Sequence, residues 1–166
     1  MPGSRRQFTV TDDLVATLQQ RFLNWFLDTI MLVLLSVFFI VIIAAIAGAY
    51  GNKTLPVYLI SNPIGQFTFV TVIRLIYYVF LETLVGSTIG KLVSQTKVVD
   101  VNGNLASHET ILIRTLCRLI PFYEISFFGI PPRGWHDSIS KTYVVDKRKL
   151  EEAQRNFYRQ QQSENE

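Results

Sequence analysis

Six ionisable residues, Arg21, Asp28, Arg74, Glu82, Arg114 and Arg118, lie inside or beside long apolar stretches of this 166-residue chain. A charge at membrane depth is costly, so each must pair, face a wet cavity or reach the interface. Asp28 has the hardest position, because an aspartate is too short to snorkel far. Its carboxylate could bind a cation or a proton, or it could form a neutralising ion pair that only locks helices together. Glu82, Arg114 and Arg118 are the further candidates for an ion-pair network or a pathway. His136-Asp137 also suggests acid–base chemistry. However, chain neighbours do not face each other in regular structure, and no Ser or Cys nucleophile motif accompanies them. No residue is assigned a catalytic role, and enzyme activity is not expected. His108 lies near an expected helix start and suits an ordinary surface role.

Other motifs fail on spacing. Gly86-Ser-Thr-Ile-Gly90-Lys91 is one residue short of a phosphate loop, has Leu92 in place of the magnesium-binding hydroxyl, and follows a helix instead of a strand. Asp100-Val-Asn-Gly-Asn104 has too few acidic ligands for a calcium loop and reads as a turn. The single Cys117 excludes an intramolecular disulfide, and no Cys/His spacing suits zinc. No cofactor or metal is expected.

The elements that must hold these charges are membrane helices. The chain is 49% hydrophobic and 17% charged, below the roughly 25% charge of soluble domains. Thr29 to Ala47 carries no charge and no proline, and as a helix it would cover about 28 Å. A signal peptide is the competing reading, because Ala45-Ile46-Ala47 resembles a cleavage site, but the preceding 28 residues contain Asp12, Asp13 and Asp28. The helix is expected to extend back through Arg21–Asp28, giving a span of about residues 22–49. Arg21 and Asp28 then share a face with Asn24 and Trp25 between them. A second span is expected over about 64–85. Arg74 near its centre costs about 2.5 to 3.5 kcal/mol, which the flanking apolar residues can offset.

Lys and Arg counts set the orientation. Arg5, Arg6 and Arg21 precede the first span, Lys53 alone lies between the spans, and eleven basic residues follow Gly86. Both termini are therefore expected to be cytoplasmic in a multi-pass protein of the cell inner membrane. The basic excess of +3 is topological, since the basic residues are not interleaved with aromatics as in a nucleic-acid surface. The third apolar stretch, about 108–130, contains Arg114, Arg118, Glu124 and a helix-breaking Pro121. It is expected to lie at the interface or to re-enter, with a third full span as the alternative. Residues 94–101 and 141–146 are strand candidates that should pair on the cytoplasmic side. Residues 1–20 and 147–166 are expected to be a cytoplasmic N-terminal segment and a charged, solvated helical tail, flanking a membrane domain over 21–146.

These motifs together resemble the RDD family of multi-pass membrane proteins. The family's arginine and first aspartate match Arg21 and Asp28 in RFLNWFLD. Its Gly-x-Thr-x-Gly-Lys stretch and Val-Val-Asp strand match Gly86 to Lys91 and Lys97 to Asp100. Its arginine-bearing helix and its His-Asp before a Thr-x-Val-Val strand match Leu112 to Phe122 and Gly134 to Val145, making Asp137 the second aspartate. The resemblance covers about residues 20–146. It implies a membrane location and leaves the molecular function open, with transport suggested. By charge, Asp28 with Arg114 or Arg118, and Asp137 with Arg21, are the expected pairs.

The leading functional expectation is transport of an ion or small solute with Asp28 as the embedded charge. Two helices cannot enclose a pathway, so a homo-oligomer or larger membrane complex would be required. The alternative is a non-transporting scaffold or accessory subunit. The bilayer is the expected partner, and nucleic acid is not.

Overall fold

The computed structural model describes residues 7–120 and 133–163. Helix α1, Leu18–Ala49, starts at a capping box in which Thr17 and Gln20 satisfy each other's backbone donors. It runs unbroken for 32 residues. Helix α3, Pro63–Val85, starts where Asn62 accepts from the amides of Ile64 and Gly65 and proline occupies the first turn. It stops at Gly86, whose φ of 68° provides a left-handed cap. Both helices are long and apolar enough to cross a membrane. Only 6% and 22% of their apolar windows are buried within the chain, so they are not the core helices of a water-soluble domain. They meet through Leu32 on one side and Ile73, Tyr77 and Tyr78 on the other.

The connection between the two long helices contains a short helix α2, Thr54–Ser61, packed against α1 and α3. Gly65 is needed there, since a Cβ would stand 2.7 Å from the Tyr58 carbonyl oxygen.

At the other end of the two long helices, β1 (Thr96–Val99) and β2 (Tyr143–Asp146) form the expected antiparallel pair, with Val98 opposite Val144. The period-2 alternation sends their side chains to two faces. Val98 and Val144 pack with Ala16, Ala106 and Ile111. Val99 and Val145 pack with Phe8, Leu14 and Leu150. In the Asp100–Asn104 turn the Asp100 carboxylate accepts from the amides of Asn102 and Asn104.

The two flanking segments are less solvated than their composition suggests. Residues 7–17 run along the sheet, the Ala16 amide donating to the Val144 carbonyl at 2.8 Å. The tail forms helix α7, Lys147–Ser163, and turns Leu150, Ala153 and Phe157 onto Phe8 and Leu14. Phe157 meets Phe8 edge to face at 5.6 Å.

Three short helices complete the module: α4 (Ile89–Val93), α5 (His108–Cys117, capped by Ser107) and α6 (Trp135–Ile139). The interfacial or re-entrant segment expected over 108–130 is covered as far as α5. Its continuation through Pro121 and Glu124 lies outside the described residues.

Candidate functional site

Arg21, Asn24 and Asp28 recur at helical spacing on one face of α1, and all three are buried. That face packs against α4. Asn24 donates to the Thr96 hydroxyl at 2.9 Å and accepts from Ser94. Asp28, 2% exposed, accepts three hydrogen bonds: from the Tyr77 hydroxyl at 2.7 Å, the Thr88 hydroxyl at 2.6 Å and the Gly90 amide at 2.9 Å. None of these donors is an arginine. The expected pairing of Asp28 with Arg114 or Arg118 is therefore corrected, because α4 stands against Asp28 and the two arginines reach other carboxylates.

The segment that failed as a phosphate loop provides this arrangement. Thr88 and Gly90 place a hydroxyl and an amide at the start of α4, where unpaired backbone donors favour an anion, and the anion is this chain's own carboxylate. Gly90 is also a steric requirement, since a Cβ there would stand 2.5 Å from the Asn24 carbonyl oxygen.

Lys91, from the same segment, belongs to a second group. Glu82, on α3 and fully buried, receives the Lys91 ammonium at 2.5 Å and the Arg118 guanidinium at 2.6 Å, with Arg114 Nε at 3.4 Å. Arg118 also stacks on the Tyr78 ring, 4.0 Å from its centroid. Helix α5 supplies Arg114, and Arg118 caps its C-terminal end one turn later.

Asp137 on α6 is the third buried carboxylate. Arg21 reaches it at 2.5 Å, as expected, and Arg114 contacts its other oxygen. Arg114 also donates to Thr142 at 2.7 Å. The ion pairs thus run Arg21, Asp137, Arg114, Glu82, then Lys91 and Arg118. Burial works to raise the pKa of Asp137, but Arg114, His136 and Arg21 outweigh it and hold the carboxyl well below the usual carboxylate range.

His136 lies 3.3 Å from Asp137 through Nε2, contrary to the expectation that chain neighbours point apart. Helix α6 is only five residues long, and both of its side chains enter the charge cluster. Burial lowers the His136 pKa well below its usual value and, with Arg114 and Arg118, outweighs the attraction of Asp137. The ring is neutral at pH 7. Ser140 donates to the His136 backbone carbonyl at 2.5 Å, so it does not form a serine–imidazole dyad there.

A cavity of about 40 Å³ lies against Arg21, Asp28, Lys91 and Arg114 and also against Trp25 and Tyr78, enough for a few waters. Among the described residues no group of three or more His, Cys, Asp or Glu side chains is placed to hold a metal ion.

Sequence reasoning selected Arg21, Asp28, Glu82, Arg114, Arg118 and Asp137, and the fold brings them into adjoining contacts. It missed Lys91, Tyr77, Thr88 and Gly90. The Gly-x-Thr-x-Gly-Lys spacing was the available signal for three of them, whereas nothing local marked Tyr77.

The RDD family model matches residues 15–140, which include every member of this network. Comparison with curated proteins and with solved structures found no match.

Proposed function

The chain belongs to the RDD family, and from that premise we propose that it is a non-transporting membrane platform, an accessory subunit whose buried charges fix a helical hairpin to a cytoplasmic module. The carrying observation is Asp28. Its carboxylate is 2% exposed and engaged by Tyr77, Thr88 and Gly90, which is how a structural anion is held. A carboxylate that loads and releases a cation would need lone pairs facing water.

In this reading α1 and α3 cross the cell membrane, α2 lies outside, and both termini with the sheet, α5, α6 and α7 are cytoplasmic. Four of the network's charges, Arg21, Lys91, Arg114 and Arg118, fall on the cytoplasmic side, consistent with the Lys and Arg count. Helix α5, the described part of the third apolar stretch, stays on that side. No catalysis, cofactor or nucleic acid enters the proposal.

The experiment is reconstitution of the purified protein in liposomes with thermal unfolding followed in parallel. Asp28→Asn should lower the melting temperature, and cation or proton flux should equal that of empty vesicles for wild type and variant alike. Flux that depends on Asp28 while stability is unchanged would instead support the second reading, ion or solute transport by an oligomer. The cavity beside Asp28 is the observation that favours that reading.

A further inference from the structure

Among the described residues, Arg74 is the one embedded charge that the network does not absorb. It stands at the middle of α3, with eleven residues between it and either end of Pro63–Val85, or about 16 Å along the helix in each direction. That distance is beyond what a three-methylene stem covers by snorkelling. Arg74 is half-buried, its Nε is buried without a hydrogen-bond partner, and among the described residues no carboxylate pairs with it. An uncompensated guanidinium at this depth requires an anionic or strongly polar neighbour.

The chain's own membrane helices do not provide one. Their acidic residues close to the membrane are Asp28 and Glu82, which are 2% and 0% exposed and already engaged. A second copy would bring the same two occupied acids and a second arginine. The surface along α3 is open for a helix: Phe67, two turns before Arg74 and about 20° from it around the axis, is 69% exposed.

We propose that Arg74 marks a docking surface for a membrane-spanning helix of a different polypeptide, one that presents an aspartate or glutamate near its middle. This deepens the platform reading, on which it rests, by giving the chemistry of the partner.

The probe is a synthetic polyleucine transmembrane peptide with one central Glu, and a Gln control, fluorescently labelled and co-reconstituted with the full chain in neutral liposomes. Energy transfer should show the Glu peptide bound roughly threefold or more tightly than the Gln peptide. Arg74→Gln should remove the preference and Arg74→Lys should keep it. Both variants should insert normally, since the first removes a membrane-depth charge and the second conserves it. Equal binding of the two peptides by wild type would overturn the proposal. A preference that appears only in Glu124→Gln would overturn it in favour of a partner within the chain. Arg74-dependent transfer between labelled copies, without peptide, would overturn it in favour of a second copy. The flux and melting tests of Asp28 do not involve Arg74, so failure here leaves the platform reading standing and identifies only the partner claim as wrong.

Discussion

Arg21 and Asp137 are separated by 116 positions in the chain and meet at 2.5 Å, both almost completely buried. One belongs to the first helix and the other to the last short helix before the second strand, so their contact closes the module around the base of the membrane hairpin. Removing one member of a buried pair leaves the other uncompensated, at a cost of about 3 to 5 kcal/mol. Asp137→Asn should therefore lower stability by this order, since it leaves both Arg21 and Arg114 without their carboxylate. Thermal unfolding in detergent checks this. An Arg21→Met, Asp137→Asn double variant should lose much less than the sum of the single losses, and simple additivity would mean that the two do not interact.

Glu82 should be at least as sensitive, because Lys91, Arg118 and Arg114 all converge on it. Glu82→Gln leaves three cations facing one another and should destabilise by about 3 to 5 kcal/mol. Adding Lys91→Met to that variant should recover part of the loss by removing one buried charge, as measured by the melting temperature. A further drop would show that Lys91 has a role apart from Glu82.

Gly90→Ala tests the packing of α4 on α1. The new methyl would stand 2.5 Å from the Asn24 carbonyl oxygen and 3.0 Å from an oxygen of Asp28, so α4 must move away. Overpacking of this kind costs about 1 to 3 kcal/mol. Limited proteolysis within residues 86–95 should be faster in the variant, and an unchanged cleavage rate would contradict the close approach.

Asp28→Asn keeps the shape and removes the charge that three donors address. Hydrogen bonds to a charged group contribute about 1.5 to 3 kcal/mol each, so the melting temperature should fall even without disruption of any ion pair. Asp28→Glu should not restore it, because the extra methylene displaces the carboxylate from Thr88 and Gly90.

Stability should also depend on pH through His136. Its folded pKa lies well below the usual value, so the unfolded chain binds a proton first. The contribution from the neutral ring is complete above about 6.5, the ordinary histidine value, and is lost as pH falls through the folded pKa. Asp137, also depressed, contributes its loss only below about 3.9. Melting temperatures between pH 7 and pH 5 should therefore fall for the wild type and fall less for His136→Gln. Parallel curves would show that His136 is not the titrating group.

Much of this arrangement was legible in the sequence because its signals are local. The spacing of Arg21 and Asp28 gives a shared helix face, and the matching Val-Val-Asp runs give the strand pair. The partners of Asp28 were not legible from charge alone. A carboxylate can be satisfied by neutral hydroxyls and an amide as well as by an arginine, and Tyr77 carries no charge to flag it. The packing of the N-terminal segment was hidden for a similar reason. Its average polarity concealed Phe8 and Leu14, which become core only because Val99, Val145 and Leu150 arrive from later in the chain. Helix α2 was hidden by the Gly, Asn and Pro residues around it, which cap and punctuate a helix as readily as they form a loop.

The unbroken run of α1 from the charge cluster into its apolar stretch has a consequence for synthesis. Asp28 waits for Thr88, 60 residues later, and Arg21 waits for Asp137, 116 residues later. At ordinary translation speeds the second interval is roughly 6 to 23 s. During that time the first helix is already made while its arginine has no acidic partner, so the Arg21 end of the nascent helix must be held near water until the last short helix emerges. Chains truncated before Asp137 should therefore be the ones that membrane quality control removes.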